Sequence, residues 1–147
     1  MEDLSIIDIL LVEDNPRDAE LTVRTLTKNH IANKIFVATN GEEALDFLFR
    51  RGEYSQLNPR PLKVIFLDIK LPKINGLDVL KAIKMDPNLR QTPIVMLTSS
   101  DDDPDIKSAY ELGANSYVVK PVDFNNFSET INKLDFYWLV VNRAPKL

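Results

Sequence analysis

Two spacings of apolar residues alternate along the chain. Short runs dense in Ile, Leu and Val stand at "IIDILLV" (6–12), "KIFVAT" (34–39), "LKVIFLD" (62–68), "TPIVMLTSS" (92–100) and "NSYVVK" (115–120), and they read as strands, the first of them buried. Segments of helical spacing lie between them. "RDAELTVRTLTKN" follows Pro16, which suits a first turn, and carries the spacing through Ala19, Val23 and Leu26. "NGEEALDFLFRRG" predicts a helix with Asn40 as cap and Gly52 as stop, and a polar segment, "YSQLNPRP", comes after it. "GLDVLKAIKMD" must end before Pro87, "DPDIKSAYELG" ends at Gly113, and "DFNNFSETINKLDFYWLVVN" predicts a long final helix. The order βαβαβαβαβα predicts an α/β fold: a five-stranded parallel sheet, doubly wound with helices on both faces. With no repeat, low-complexity tract or linker, residues 1–147 form one expected domain, whose C-terminal helix spans about 123–142.

In such a sheet the strands run one way, and ligands bind beyond their carboxyl ends where strand order reverses. The residues at those ends are not bland. The first strand finishes on Glu13-Asp14, the third on Asp68, the fourth on Thr98-Ser99-Ser100 and the fifth on Lys120-Pro121. Crowded carboxylates repel one another unless a cation intervenes. Oxygen ligands without His or Cys suit Mg²⁺ or Mn²⁺. A carboxylate beside such an ion, with a lysine and a hydroxyl at hand, is equipped to attack a phosphoryl group. That chemistry accounts for a charge at the end of "VIFLD", where burial is otherwise costly.

Four segments in register, "VEDN", "LDIKLPKINGLDVL", "LTSS" and "VVKP", resemble the receiver domain of two-component response regulators over about residues 6–135. The resemblance implies a flavodoxin-like (βα)5 fold and Asp68 as phosphoacceptor. It implies Mg²⁺, with Mn²⁺ able to substitute, held by Glu13, Asp14, Asp68 and the Lys70 backbone carbonyl. It further implies Thr98 and Lys120 as phosphoryl contacts, Tyr117 as an aromatic that changes rotamer with Thr98 on activation, and a cis bond before Pro121. The protein would be no enzyme beyond Mg²⁺-dependent self-phosphorylation and slow autodephosphorylation.

Each residue also has a plainer reading. Glu13-Asp14 could favour a helix N-terminus, Asp68 could serve a turn before Pro72, and Thr98 could bond to backbone. Lys120 could be a solvated strand end and Tyr117 a half-buried strand aromatic. Five such coincidences at one sheet edge favour the functional reading. Asp101-Asp102-Asp103 keeps its plain reading, a solvated loop and cap before Pro104. An aspartate-nucleophile phosphatase of the haloacid dehalogenase type is disfavoured because Lys70 stands where its second acid belongs. A flavodoxin-like electron carrier is disfavoured because "EDNPRD" would repel a flavin phosphate. The remaining alternative is a phosphorylation-independent pseudo-receiver that acts only as an interaction module.

Composition narrows the setting. The chain is 44% hydrophobic and 27% charged with a net charge of -4, which fits an ordinary globular protein and argues against general nucleic-acid binding. The absence of cysteine removes disulfides and thiolate chemistry, and the interrupted N-terminal apolar run predicts neither signal peptide nor membrane span. A cytoplasmic location is expected, and the single histidine, His30, reads as a helix-end residue rather than a catalyst.

Only Ala144–Leu147 follow the final helix, so no DNA-binding domain is expected there. Phe127, Ile131, Leu134, Trp138 and Val141 form one apolar stripe, while Phe136, Tyr137, Leu139 and Val140 add apolar surface away from it. This excess predicts a homodimer interface. "DFYWLVVN" and "RRGEYSQLNPRP" resemble single-domain regulators that pair with cyanobacterial phytochromes. That implies a phytochrome-type sensor histidine kinase as phosphodonor, with a histidine phosphotransfer protein or another protein downstream.

Overall fold

A computed structural model describes residue 4 and residues 7–28, 34–57, 61–100, 102–123 and 125. The elements are β1 (Ile9–Val12), α1 (Pro16–Lys28), β2 (Ile35–Ala38), α2 (Gly41–Leu48), β3 (Val64–Asp68), α3 (Gly76–Lys84), β4 (Ile94–Thr98), α4 (Asp105–Glu111) and β5 (Ser116–Val119), with a 3-10 turn at Gly52–Tyr54. All strand pairs are parallel, in the order β2-β1-β3-β4-β5. This is the flavodoxin-like strand order. The strands are shorter than the apolar runs that mark them, because each run includes flanking residues that lead into loops. His30, Asp101 and the expected final helix with Phe136, Tyr137, Leu139 and Val140 lie outside the described residues.

The period of two along each strand divides the core between the faces of the sheet. Leu10, Val12, Ile65, Leu67, Ile94 and Met96 pack with Leu45, Val79, Leu80, Ile83 and Ala109 from α2, α3 and α4. Ile9, Leu11, Val64, Phe66, Val95 and Leu97 share the opposite face with Ala19 and Leu26 of α1. Because both faces are covered, the central strands are buried at every position.

Two sequence expectations need correction. The second helix ends at Leu48 rather than Gly52, because Arg50 turns the chain with φ 56° and Gly52 repeats the turn with φ 56°. The segment after it is not simply polar. Tyr54 is buried, its ring set edge-on to Phe36 and Phe47, which stack on each other with centroids 4.4 Å apart. Its hydroxyl donates to Glu43 Oε2 at 3.2 Å, and Glu43 Oε1 accepts from the Thr39 N–H at 2.8 Å, so one carboxylate ties the segment to the start of α2.

Candidate functional site

Strand register brings the chemistry together. Val12 pairs with Leu67, Asp68 with Leu97 and Thr98 with Val119, so the residues that end β1, β3, β4 and β5 gather at one sheet edge. Strand order reverses there, between β1 and β3. The turn after β1 is set by Asn15, whose Oδ1 accepts from the N–H groups of Arg17 at 2.9 Å and Asp18 at 3.1 Å. Asn15 is therefore the cap of α1, and its own N–H donates to Glu13 Oε2 at 3.2 Å. The turn after β3 folds back tightly: the Gly76 N–H donates to the Ile69 carbonyl at 3.0 Å, and a Cβ on Gly76 would collide with the Asp68 carbonyl oxygen. Only glycine permits that approach, which seats α3 directly behind the acid.

Glu13, Asp14 and Asp68 each place a carboxylate oxygen within 4.8 Å of the others. Glu13 and Asp68 are buried, and Asp14 is exposed at the rim. Their all-oxygen donor set fits Mg²⁺ or Mn²⁺. The Lys120 ammonium stands among the acids, 3.0 Å from Asp68 Oδ2, 3.2 Å from Glu13 Oε1 and 3.2 Å from Asp18 Oδ2. Burial, followed by the hydrogen bond and charge of Asp68, pushes Glu13 up to about 8 against the opposing pull of the Asn15 N–H and Lys120. For Lys120, burial works to lower the ammonium pKa, but Asp68 and Glu13 outweigh it and hold it above its ordinary value. The site thus already carries a cation that its carboxylates require.

The remaining predicted residues border this cluster. The Lys70 N–H donates to Asp68 Oδ1 at 3.3 Å, whereas its side chain reaches Asp105 Oδ2 at 3.5 Å. Thr98 Oγ1 lies 3.1 Å from Asp103 Oδ2 and 3.1 Å from the Ser100 carbonyl, directed into the loop before α4. Tyr117 is half-buried on β5, edge-on to Tyr110 of α4 at 6.3 Å between centroids, and the Lys120–Pro121 peptide is cis.

Lys120 is not a solvated strand end, since its side chain is 16% exposed and fully engaged with acids. Nor is Asp103 merely a solvated loop residue. Its Oδ1 accepts from the Asp105 N–H at 2.9 Å, as a cap should, but its Oδ2 accepts from Thr98. Asp18 and Asp105 carry no mark in the sequence patterns that single out the other site residues. Asp18 stands in the first turn of the helix that leaves the acid site, where an acid reads equally as a dipole partner, so nothing local in the sequence joins it to Lys120.

The response regulator receiver domain model matches residues 9–132. Among curated relatives, "Probable methanogenesis regulatory protein FilR2" of Methanothrix harundinacea is 38% identical over 93% of this chain and 86% of its own length. Response regulator Rcp1 of Synechocystis sp. is 36% identical over 93% of this chain and 92% of its own. The solved bacteriophytochrome response regulator AtBRR is 47% identical, with a TM-score of 0.81 over 96% of this chain and 97% of its own. The Mn²⁺-bound form of Rcp1 gives a TM-score of 0.75 at 32% identity, over 97% of this chain and 99% of its own. With the fold, the acid cluster and these likenesses together, this chain belongs to the response regulator receiver domain family.

Proposed function

We propose that this chain is a phosphoacceptor response regulator, which takes a phosphoryl group on Asp68 from a histidine kinase and signals through altered protein contacts. The supporting observation is the Asp68 carboxylate held at a strand end, 3.0 Å from the Lys120 ammonium and within 4.8 Å of the acids Glu13 and Asp14. In the transfer, an Asp68 oxygen bonds to phosphorus as the bond from phosphorus to the donor histidine nitrogen breaks. That nitrogen keeps the electron pair, and the imidazole, already protonated on its other ring nitrogen, leaves neutral. Lys120 and Thr98 donate hydrogen bonds to the transferred oxygens, and charge-assisted contacts of this kind are the strong ones. When bound by Glu13, Asp14, Asp68 and the Lys70 carbonyl, Mg²⁺ or Mn²⁺ supplies positive charge that neutralises the transferred oxygens.

The 47% identity to a bacteriophytochrome response regulator supports a phytochrome-type sensor kinase as donor. Downstream, the phosphoryl group passes to a histidine phosphotransfer protein or alters binding to another protein. A homodimer built on Phe136, Tyr137, Leu139 and Val140 is the proposed assembly, and sedimentation at tens of micromolar tests it: a monomer with and without phosphorylation excludes it.

Incubation with acetyl phosphate and Mg²⁺ tests the central reading by intact mass. One phosphoryl group should be gained, and none with EDTA or in Asp68→Asn. Wild-type protein that takes up no phosphoryl group is instead a pseudo-receiver, and labelling that survives in Asp68→Asn puts the acceptor elsewhere.

A further inference from the structure

An ammonium has three N–H donors. Lys120 donates hydrogen bonds to Asp68 Oδ2 at 3.0 Å and to Glu13 Oε1 at 3.2 Å, and it forms an ion pair with Asp18 Oδ2 at 3.2 Å. Two of these acids belong to the oxygen cluster fit for a divalent cation; Asp18 does not. A cation held by Glu13, Asp14 and Asp68 would compete with the ammonium for the same oxygens, since like charges cannot both be fully served by them. Asp18 is the one acid of the three that could keep hold of Lys120 as the other two are drawn to the metal. Its anchorage is suited to that task. The Asp18 N–H is fixed by Asn15 Oδ1 at 3.1 Å, and the Thr22 hydroxyl donates to the Asp18 carbonyl at 2.9 Å, so the residue sits on a firm first turn of α1.

We infer that Asp18 is a positioning residue for Lys120: it draws the ammonium away from the metal-binding carboxylates while keeping it within reach of the acceptor. This rests on the phosphoacceptor reading above. Without the Asp18 charge, Lys120 turns more completely onto Glu13 and Asp68 and becomes a stronger competitor for the cation. The plainer role for an acid in a first helical turn is to favour the helix dipole, which affects helix stability in proportion to charge and has no bearing on Lys120.

A double-mutant cycle separates the two, with Mg²⁺ affinity read by calorimetry on the unphosphorylated protein and thermal unfolding read in EDTA. Asp18→Asn should weaken Mg²⁺ binding about three- to tenfold, for a coupling worth about one decade or less. In a Lys120→Met background the same substitution should change affinity less than about twofold. Asp18→Glu, which retains the charge, should recover most of the wild-type affinity and serves as the second variant if Asp18→Asn folds poorly. An equal loss of affinity in both backgrounds would show that Asp18 acts through its own charge and overturn the inference. So would unchanged affinity in Asp18→Asn with only a lowered melting temperature. Wild-type protein that binds no Mg²⁺ at millimolar concentrations would instead overturn the phosphoacceptor reading itself, and the role of Asp18 with it.

Discussion

The Thr98 hydroxyl lies 3.1 Å from Asp103 Oδ2, a hydrogen bond that ties the end of β4 to the loop entering α4. The Ser100 carbonyl is equally near, so the single hydroxyl proton is contested within its own loop. If Thr98 contacts a phosphoryl group on Asp68 as proposed, its hydroxyl leaves these partners, and Asp103 loses that hydrogen bond.

One hydrogen bond contributes about 0.5–1.5 kcal/mol net, and that sets the scale of the competition. Asp103→Asn keeps an oxygen for the Asp105 N–H but replaces the acceptor that faces Thr98. Beryllofluoride, which stands in for the phosphoryl group, should then bind about two- to tenfold more tightly. Thr98→Ala should leave the fold intact and uncouple beryllofluoride binding from movement of the loop, followed by amide shifts at 99–105. Identical beryllofluoride affinity in Asp103→Asn and wild type would show that the bond is no barrier.

A second loop contact concerns lifetime. The Lys70 side chain is 71% exposed and pairs with Asp105 at 3.5 Å, at the mouth of the site. Exposed pairs contribute about 0–1 kcal/mol, so Lys70→Ala should scarcely alter stability. Mg²⁺ affinity should also hold, because the backbone carbonyl proposed as a ligand is retained. The expected effect is on hydrolysis: with the long side chain gone, water reaches the acyl phosphate more freely and decay accelerates several-fold. An unchanged half-life removes the side chain from the mechanism.

The strands and the acid site were legible in the sequence for one reason. Parallel strands buried on both faces leave runs such as "VIFLD", and a charge that ends such a run is conspicuous. What escaped notice depends on partners distant in the chain or on backbone conformations that have no strong residue signature. Glu13 and Lys120 meet across 107 positions, and only the strand register determines that Asp18 joins them. Arg50 takes a left-handed conformation that glycine usually marks, so the sequence pattern places the end of α2 at Gly52, beyond its true end. Tyr54 looked like part of a polar loop because the rings that bury it, Phe36 and Phe47, come from two other elements.

Tyr54 also gives the protein an alkaline limit. Burial first, and then the Glu43 charge, push its phenol from 10.0 up to about 12. The unfolded chain ionises this tyrosine above 10.0, while the folded protein keeps the proton until about 12. Protons are thus released on unfolding, and stability falls as pH rises through that window. Absorbance at about 295 nm should report one late-titrating tyrosine that is missing in Tyr54→Phe, and the variant's stability should fall less steeply. If the wild type and Tyr54→Phe lose stability in parallel, the buried Tyr54 phenol does not govern the limit.

Removal of Lys120 exposes the electrostatic design of the site most directly. Its ammonium offsets Glu13 and Asp68, which are 1% and 3% exposed, together with Asp18 nearby. Removing one partner of a fully buried ion pair costs about 3–5 kcal/mol. One feature reduces that cost here: the site opens to water at the Asp14 rim. Lys120→Ala should therefore lose about 1–2 kcal/mol in EDTA, or roughly 2–8 °C in melting temperature for a domain of this size. Mg²⁺ has the opposite bearing on the variant. With no ammonium competing for Glu13 and Asp68, the cation should bind about tenfold more tightly and stabilise the variant by about 1.4 kcal/mol more than it stabilises the wild type at saturating concentration. Melting curves of both proteins with EDTA and with millimolar Mg²⁺ measure these differences. Equal Mg²⁺-induced shifts in the two proteins would mean that Lys120 and the cation do not contend for the same carboxylates.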